Sequence, residues 1–233
     1  MTAPDHNAAA LTRALSSLGI TLPHRGLDEQ LRFWTALEEE AARIDLLSPA
    51  ALRQGPVRHV GDALAALAFG PLPSTLLDIG SGGGLPGIPL ALASPSTSVV
   101  LLEARAKRAD WLQRAVVRLG LGGRVEIVVG RLEDQDEDWV AGFPLLTARA
   151  VAPPERLLPL LLPRLRSAGR LLVWHSAAQR GAIGETLEEW AKTHHKTSIR
   201  TISYIFVDID FSSNISEIRI TEGSDHLPRE PED

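Results

Sequence analysis

The chain has 233 residues, 44% of them apolar, a formal net charge of −5 and no cysteine. This length and apolar content suit one large domain, or one domain with an extension, and the missing cysteines exclude disulfides and thiolate metal sites. The acidic balance argues against nonspecific nucleic-acid binding across the whole surface, but leaves room for a local basic patch. Residues 1–10, polar and alanine-rich, read as a disordered tail. Leu11, Leu15 and Leu18 fall at helical spacing before Gly19 stops the helix. A second helix is expected over 27–43, with Leu31, Trp34 and Leu37 as a core stripe, and a third from Val57 to Phe69, carrying His59 and Asp62. Gly70-Pro71-Leu72-Pro73 reads as a linker, which divides an N-terminal helical region, 11–73, from a domain over 74–221.

From Ser74 onward strands and helices alternate. Strands are expected at 74–79, 98–102, 124–129, 145–148 and 170–174, with helices at 85–93, 105–119, 154–166 and 184–194 between and after them. Two further strands, 198–207 and 215–220, flank a turn at 208–214, and the charged, proline-rich residues 222–233 read as a second disordered tail. Alternation predicts an α/β fold, a mostly parallel Rossmann-like sheet with helices on both faces and an antiparallel last strand. No apolar run approaches the length of a membrane span and the start has no basic-then-apolar leader, so a soluble, cytoplasmic protein is expected.

The most informative stretch is Leu77-Asp78-Ile79-Gly80-Ser81-Gly82-Gly83-Gly84-Leu85-Pro86-Gly87. Glycines this dense would weaken a helix or strand interior, but suit backbone that turns sharply beside a ligand. Strand, glycine loop and helix form the nucleotide-binding half of an α/β fold. The dinucleotide pattern G-x-G-x-x-G fails from Gly80, where Leu85 stands at the small position, and fits from Gly82 only in a register shifted off the strand end. A D-x-G-x-G-x-G register from Asp78 through Gly80, Gly82 and Gly84 fits without a shift. It resembles the first motif of S-adenosylmethionine (SAM)-dependent methyltransferases, whose cofactor carries no pyrophosphate. Glu103, at the end of the second strand, stands at the distance expected of an acid that binds ribose hydroxyls; the plainer alternative is a solvated strand-end residue.

Gly84-Leu85-Pro86-Gly87-Ile88-Pro89-Leu90, with Glu103-Ala104-Arg105-Ala106-Lys107-Arg108, Arg131-Leu132-Glu133 and Arg149-Ala150, resembles the RsmG (GidB) family. Those are bacterial 16S ribosomal RNA methyltransferases acting on N7 of one guanine. The resemblance implies SAM as cofactor, 16S rRNA or the small ribosomal subunit as partner, no metal and no membrane, and a monomer. Position by position it implies cofactor contacts at Gly80, Leu85, Glu103, Leu132, Glu133 and Arg149, alongside Asp78, Gly82 and Gly84 of the loop. Arg58, His59, Lys107 and Arg108, at positions that match the family's, and His175, from its place at the end of the fifth strand, are expected on the RNA side, with a packed or capping role as the alternative for His59 and a hydrogen-bonded structural role for His175. The chain departs from the family at Asp45-Leu46-Leu47, where the family has Asn-Leu-Thr, at His175-Ser176, where it has Lys-Gly, and after Ser176 in general.

Guanine N7 carries an in-plane lone pair and no proton, so no catalytic base is expected; positioning for in-line transfer suffices. Arg149, at a strand end beside the expected crevice, would contact cofactor or guanine, against the alternative of a salt bridge to Glu133 or another acid. Lys107, Arg108, Arg114 and Arg118 recur at helical spacing, as a solvated face or a phosphate-binding edge. His194-His195 is not a metal pair, since adjacent helical residues point apart. Two other readings stay open: a methyltransferase of a small molecule, and a SAM-binding protein without turnover. A nicotinamide oxidoreductase is the weakest.

Overall fold

The computed structural model describes residues 3–41, 43–194 and 197–220. Helices α1 (Ala3–Ser16), α2 (His24–Ala41) and α3 (Pro49–Leu52) lead to a continuous helical stretch, Val57–Phe69, with α4 (Asp62–Leu64) at its middle. Strands β1 (Thr75–Ile79), β2 (Ser98–Glu103), β3 (Val125–Val129), β4 (Leu145–Arg149) and β5 (Arg170–His175) then alternate with α5 (Gly87–Ala93), α6 (Ala106–Arg118), α7 (Glu137–Ala141) and α8 (Pro154–Leu161). Helix α9 (Arg180–Ala191) and strands β6 (Thr197–Phe206) and β7 (Phe211–Ile220) follow.

The seven strands form one sheet in the order β3-β2-β1-β4-β5-β7-β6. The first five are parallel, and β7 inserts antiparallel between β5 and β6. The order runs outward from β1 to β3, then reverses at β4. A crevice therefore opens beyond the carboxyl ends of β1 and β4, the place where open α/β sheets bind ligands.

Side chains alternate across the sheet as the pleat requires. Leu76 and Leu101 enter a core shared with Leu11, Phe33, Trp34 and Val60 of the N-terminal helices. Leu77 and Leu102 enter the opposite core, with Leu157, Leu161 and Ile183 of α8 and α9. The N-terminal helices thus cover one face of the sheet together with α5 and α6.

Among the boundaries that differ from the sequence-based expectation, two change its reading of order and turn. Residues 3–10 are not a disordered tail but the first turns of α1. Alanine has the highest helix propensity, and tertiary burial anchors the helix: Ala10 and Leu11 are buried, and Leu11 sits against Gly61. The last turn spans only 207–210, and β7 begins at Phe211, because Ser212, Ser213 and Asn214 pair with Ile205, Tyr204 and Ser203 of β6. The segment 222–233, and His195 of the His194-His195 pair, lie outside the described residues.

Candidate active site at the β1–β4 crevice

A cavity of about 790 Å³ occupies the crevice. Its walls are the glycine loop, the turn after β4, the end of β5, the start of β7, Arg108 of α6, and Leu46, Leu47, Arg58, His59 and Asp62 from the helical side. That volume is in the range of small-molecule and cofactor sites.

Asp78 shapes the loop from behind and does not face the cavity. It is fully buried. Oδ1 accepts from the Thr147 hydroxyl at 2.8 Å, and Oδ2 accepts from the Gly87 N–H at 3.1 Å. Burial pushes its pKa up to about 6, opposed by donors from Thr147, Ser81 and Gly87. Gly80 and Gly82 have φ of 66° and 55° and present main chain to the cavity, as do Ser81 and Gly83. A Cβ on Gly80 would stand 2.8 Å from Val151 of the β4 turn. Gly84 lies under the loop, where a Cβ would meet Ile88 at 2.6 Å, and Leu85 lines the wall. Backbone cleared of side chains beside a large cavity fits a nucleoside ligand lying along the loop.

Glu103 holds the loop in place. Its carboxylate accepts from Gly82 N–H and Arg105 N–H, each at 2.8 Å. Each oxygen keeps further acceptor capacity. Leu132 is buried in the second core and Glu133 is exposed; neither lines the cavity.

The same cavity is lined by a charged cluster that the sequence reading did not assemble. Asp62, 1% exposed, lies with Oδ2 2.8 Å from Arg149 Nε and 3.5 Å from Arg58 Nη1. Its Oδ1 accepts from the Tyr204 hydroxyl, and its backbone carbonyl accepts from Trp174 Nε1 at 2.9 Å. The acid paired to Arg149 is thus Asp62, not Glu133. The Arg58 guanidinium stacks over the Phe211 ring, 3.5 Å from its centre, and burial lowers its pKa. Among the lining residues, Asp62 is the one carboxylate against Arg58, Arg108 and Arg149. The i, i+4 spacing of Arg58 and Asp62 was a local sign of this cluster; Tyr204 and Phe211 reach it only through the fold.

Both candidate histidines line the cavity in fixed, neutral form. His59 Nε2 donates to the Ala51 carbonyl at 2.8 Å, its ring stacks on Trp34, and Nδ1 is buried without a hydrogen-bond partner among the described residues. Burial pushes its pKa down to about 4. His175 Nδ1 faces the Ser176 carbonyl at 2.9 Å, which places the proton there, so Nε2 accepts from Ser216 at 2.8 Å. Burial lowers its pKa as well. Both nitrogens of His175 are engaged, whereas His59 keeps Nδ1 as a buried lone pair without a partner among the described residues.

The basic face of α6 divides. Arg114 and Arg118 pair with Glu40 and Glu39 of α2 at 2.7 and 2.6 Å. Arg108 lines the cavity and donates to the Asp45 carbonyl at 2.6 Å. Lys107 is exposed away from the cavity.

The sheet order, the inserted antiparallel β7 and a glycine loop walling the switch-point cavity define a SAM-dependent methyltransferase of Rossmann-like fold. Solved structures share the fold: an O-methyltransferase from Bacillus cereus, in complex with SAH, is 19% identical at a TM-score of 0.59, covering 94% of this chain and 100% of that one. Cofactor-bound Rv0187 from MTB is 23% identical at a TM-score of 0.56, covering 83% and 90%. The family model GidB, rRNA small subunit methyltransferase G, matches residues 27–205, and the chain belongs to that family. Among relatives called ribosomal RNA small subunit methyltransferase G, one from Dehalococcoides mccartyi strain BAV1 is 33% identical, covering 85% of this chain and 84% of its own. One from Roseiflexus castenholzii is 37% identical, covering 70% of each.

Proposed function

We infer that the protein transfers a methyl group from SAM to N7 of a guanine in 16S ribosomal RNA, acting as a cytoplasmic monomer on the small ribosomal subunit or its RNA. The observation that carries this reading is the cavity itself, in a chain of the GidB family: it is lined by glycine-loop backbone cleared of side chains and by three guanidiniums.

When bound, SAM supplies a methyl group on a sulfonium, which guanine N7 takes in an in-line displacement that leaves the positive charge on the base. Gly80, Gly82 and Leu85 would bear on the donor's nucleoside, with Glu103 fixing the loop and directing its remaining acceptor capacity to ribose. Asp78 and Gly84 act beneath the loop, and Leu132 and Glu133 flank its outer side. Arg149 would hold the guanine by O6 or a neighbouring phosphate, because an N–H on N7 would block the attacking lone pair. Arg58 and Arg108 would hold phosphate, and His59 and His175 shape the wall. Since N7 loses no proton, the residues need only orient and desolvate, which can supply roughly 7–11 kcal/mol of a barrier.

The test is methyl transfer by the purified protein to 16S RNA from a strain lacking the mark, with digestion to nucleosides. N7-methylguanosine is the expected product; transfer to another atom, or none, refutes the reading.

A further inference from the structure

A second concave site carries the opposite charge. It is a groove of about 490 Å³ between α8 and α9, on the face of the sheet away from the N-terminal helices. Pro159, Leu162 and the indole of Trp190 give it an apolar lining, and the His194 ring stacks on that indole with ring centres 3.7 Å apart. Glu155 of α8 and Glu185 and Glu189 of α9 supply its charge, and among the described residues no lysine or arginine lines it. Glu189 pairs with Lys192, whereas Glu155 and Glu185 make no ion pair among the described residues. Trp190 Nε1 is buried without an acceptor among the described residues. A buried donor left unpaired is costly, and a polypeptide carbonyl entering beside the indole would relieve it. The groove begins next to the reaction cavity, since Pro153, two residues before Glu155, lines that cavity.

The charge selects the occupant. The reaction cavity sets Arg58, Arg108 and Arg149 against Asp62, which suits RNA, whereas three carboxylates around the groove repel phosphate. A protein held on RNA by neutralising phosphates carries lysines and arginines. A segment of that kind complements the groove, with cations against the carboxylates and an apolar side chain against the indole. We propose that the α8–α9 groove docks a basic segment of a small-subunit protein that lies beside the target guanine, so that the enzyme recognises the assembled particle through protein as well as RNA. This rests on the reading above, in which 16S RNA of the small subunit is the substrate.

The experiment compares the full wild-type chain with Glu155→Lys/Glu185→Lys and with Asp110→Lys/Glu126→Lys, a control of equal charge change on α6 and β3. Sedimentation gives the Kd for intact small subunits lacking the N7 mark and for the 16S RNA extracted from them; Tm and methyl transfer by wild type are read alongside. Glu155→Lys/Glu185→Lys is expected to weaken subunit binding about three- to tenfold, the effect of two exposed charges at an interface. Its binding to extracted RNA is unchanged or tighter, and the control binds both at least as tightly as wild type. Where the lysines lower Tm, Glu155→Gln/Glu185→Gln takes their place, with a loss of about two- to fourfold expected for the subunit alone. An unchanged subunit Kd, an equal loss with extracted RNA, or a loss matched by the control overturns the proposal. So does a wild type that binds extracted RNA but not subunits. If wild type methylates N7 in neither substrate, the reading of the reaction fails, and the proposal with it.

Discussion

The Gly87 N–H donates to Asp78 Oδ2 at 3.1 Å, so the carboxylate near the end of β1 holds the amide that opens α5. The same residue takes the Thr147 hydroxyl from β4 on its other oxygen. One buried acid thereby joins both strands of the switch point to the helix behind the glycine loop.

That acid titrates in an accessible range. Its pKa is raised from 3.8 to about 6 by burial. The raised value means a stability contribution fully present below about pH 3.8 and lost as pH rises through about 6, amounting to about 3 kcal/mol. Asp78→Asn, which can still accept from Gly87 and donate to Thr147, removes this dependence. Urea unfolding from pH 3.5 to 7.5 should show wild type losing stability relative to Asp78→Asn as pH rises; the opposite slope would contradict the assignment.

His59 works in the reverse sense. Burial depresses its pKa from 6.5 to about 4, so its contribution is present above pH 6.5 and lost as pH falls through about 4, again about 3 kcal/mol. The two groups oppose each other over one window, and wild type should be flatter than either variant: Asp78→Asn weakens in acid, His59→Gln weakens toward neutrality. Nitrogen NMR of the ring checks the cause directly, with a single Nε2–H tautomer expected at pH 6.

Gly80→Ala tests the loop. The position has φ of 66°, and a Cβ there stands 2.8 Å from Val151. Left-handed strain of about 1–2 kcal/mol should lower Tm by roughly 2–8 °C and weaken SAM binding about tenfold or more. Adding Val151→Ala relieves the contact but not the φ, so only part of the loss should return.

Much of this is legible in the sequence. Alternation gives the sheet, and the register from Asp78 separates the glycine loop from a dinucleotide fingerprint. The start of α1 is not legible, because Ala10 and Leu11 are ordered by distant partners such as Gly61. The start of β7 is hidden for a similar reason: Ser212-Ser213-Asn214 has the composition of a turn, and only pairing with β6 makes it a strand. In the site, Arg149 is found by its place at a strand end, whereas Asp62 acquires its role from residues on three other elements.

The basic face of α6 illustrates the same limit. Helical spacing allows a phosphate-binding edge, but Glu39 and Glu40 already pair with Arg118 and Arg114. Arg114→Ala/Arg118→Ala should leave the RNA KM within about twofold at moderate salt, while Arg108→Ala raises it several-fold. A filter-binding salt titration checks this: the slope should change for Arg108→Ala and not for the double variant.

The most direct measurement of the central claim is nucleoside analysis of 16S RNA after incubation with the purified protein and SAM. The account predicts one N7-methylguanosine per RNA, formed by wild type and strongly reduced by Arg149→Ala. Methylation at another atom, or an undiminished yield from Arg149→Ala, would contradict it.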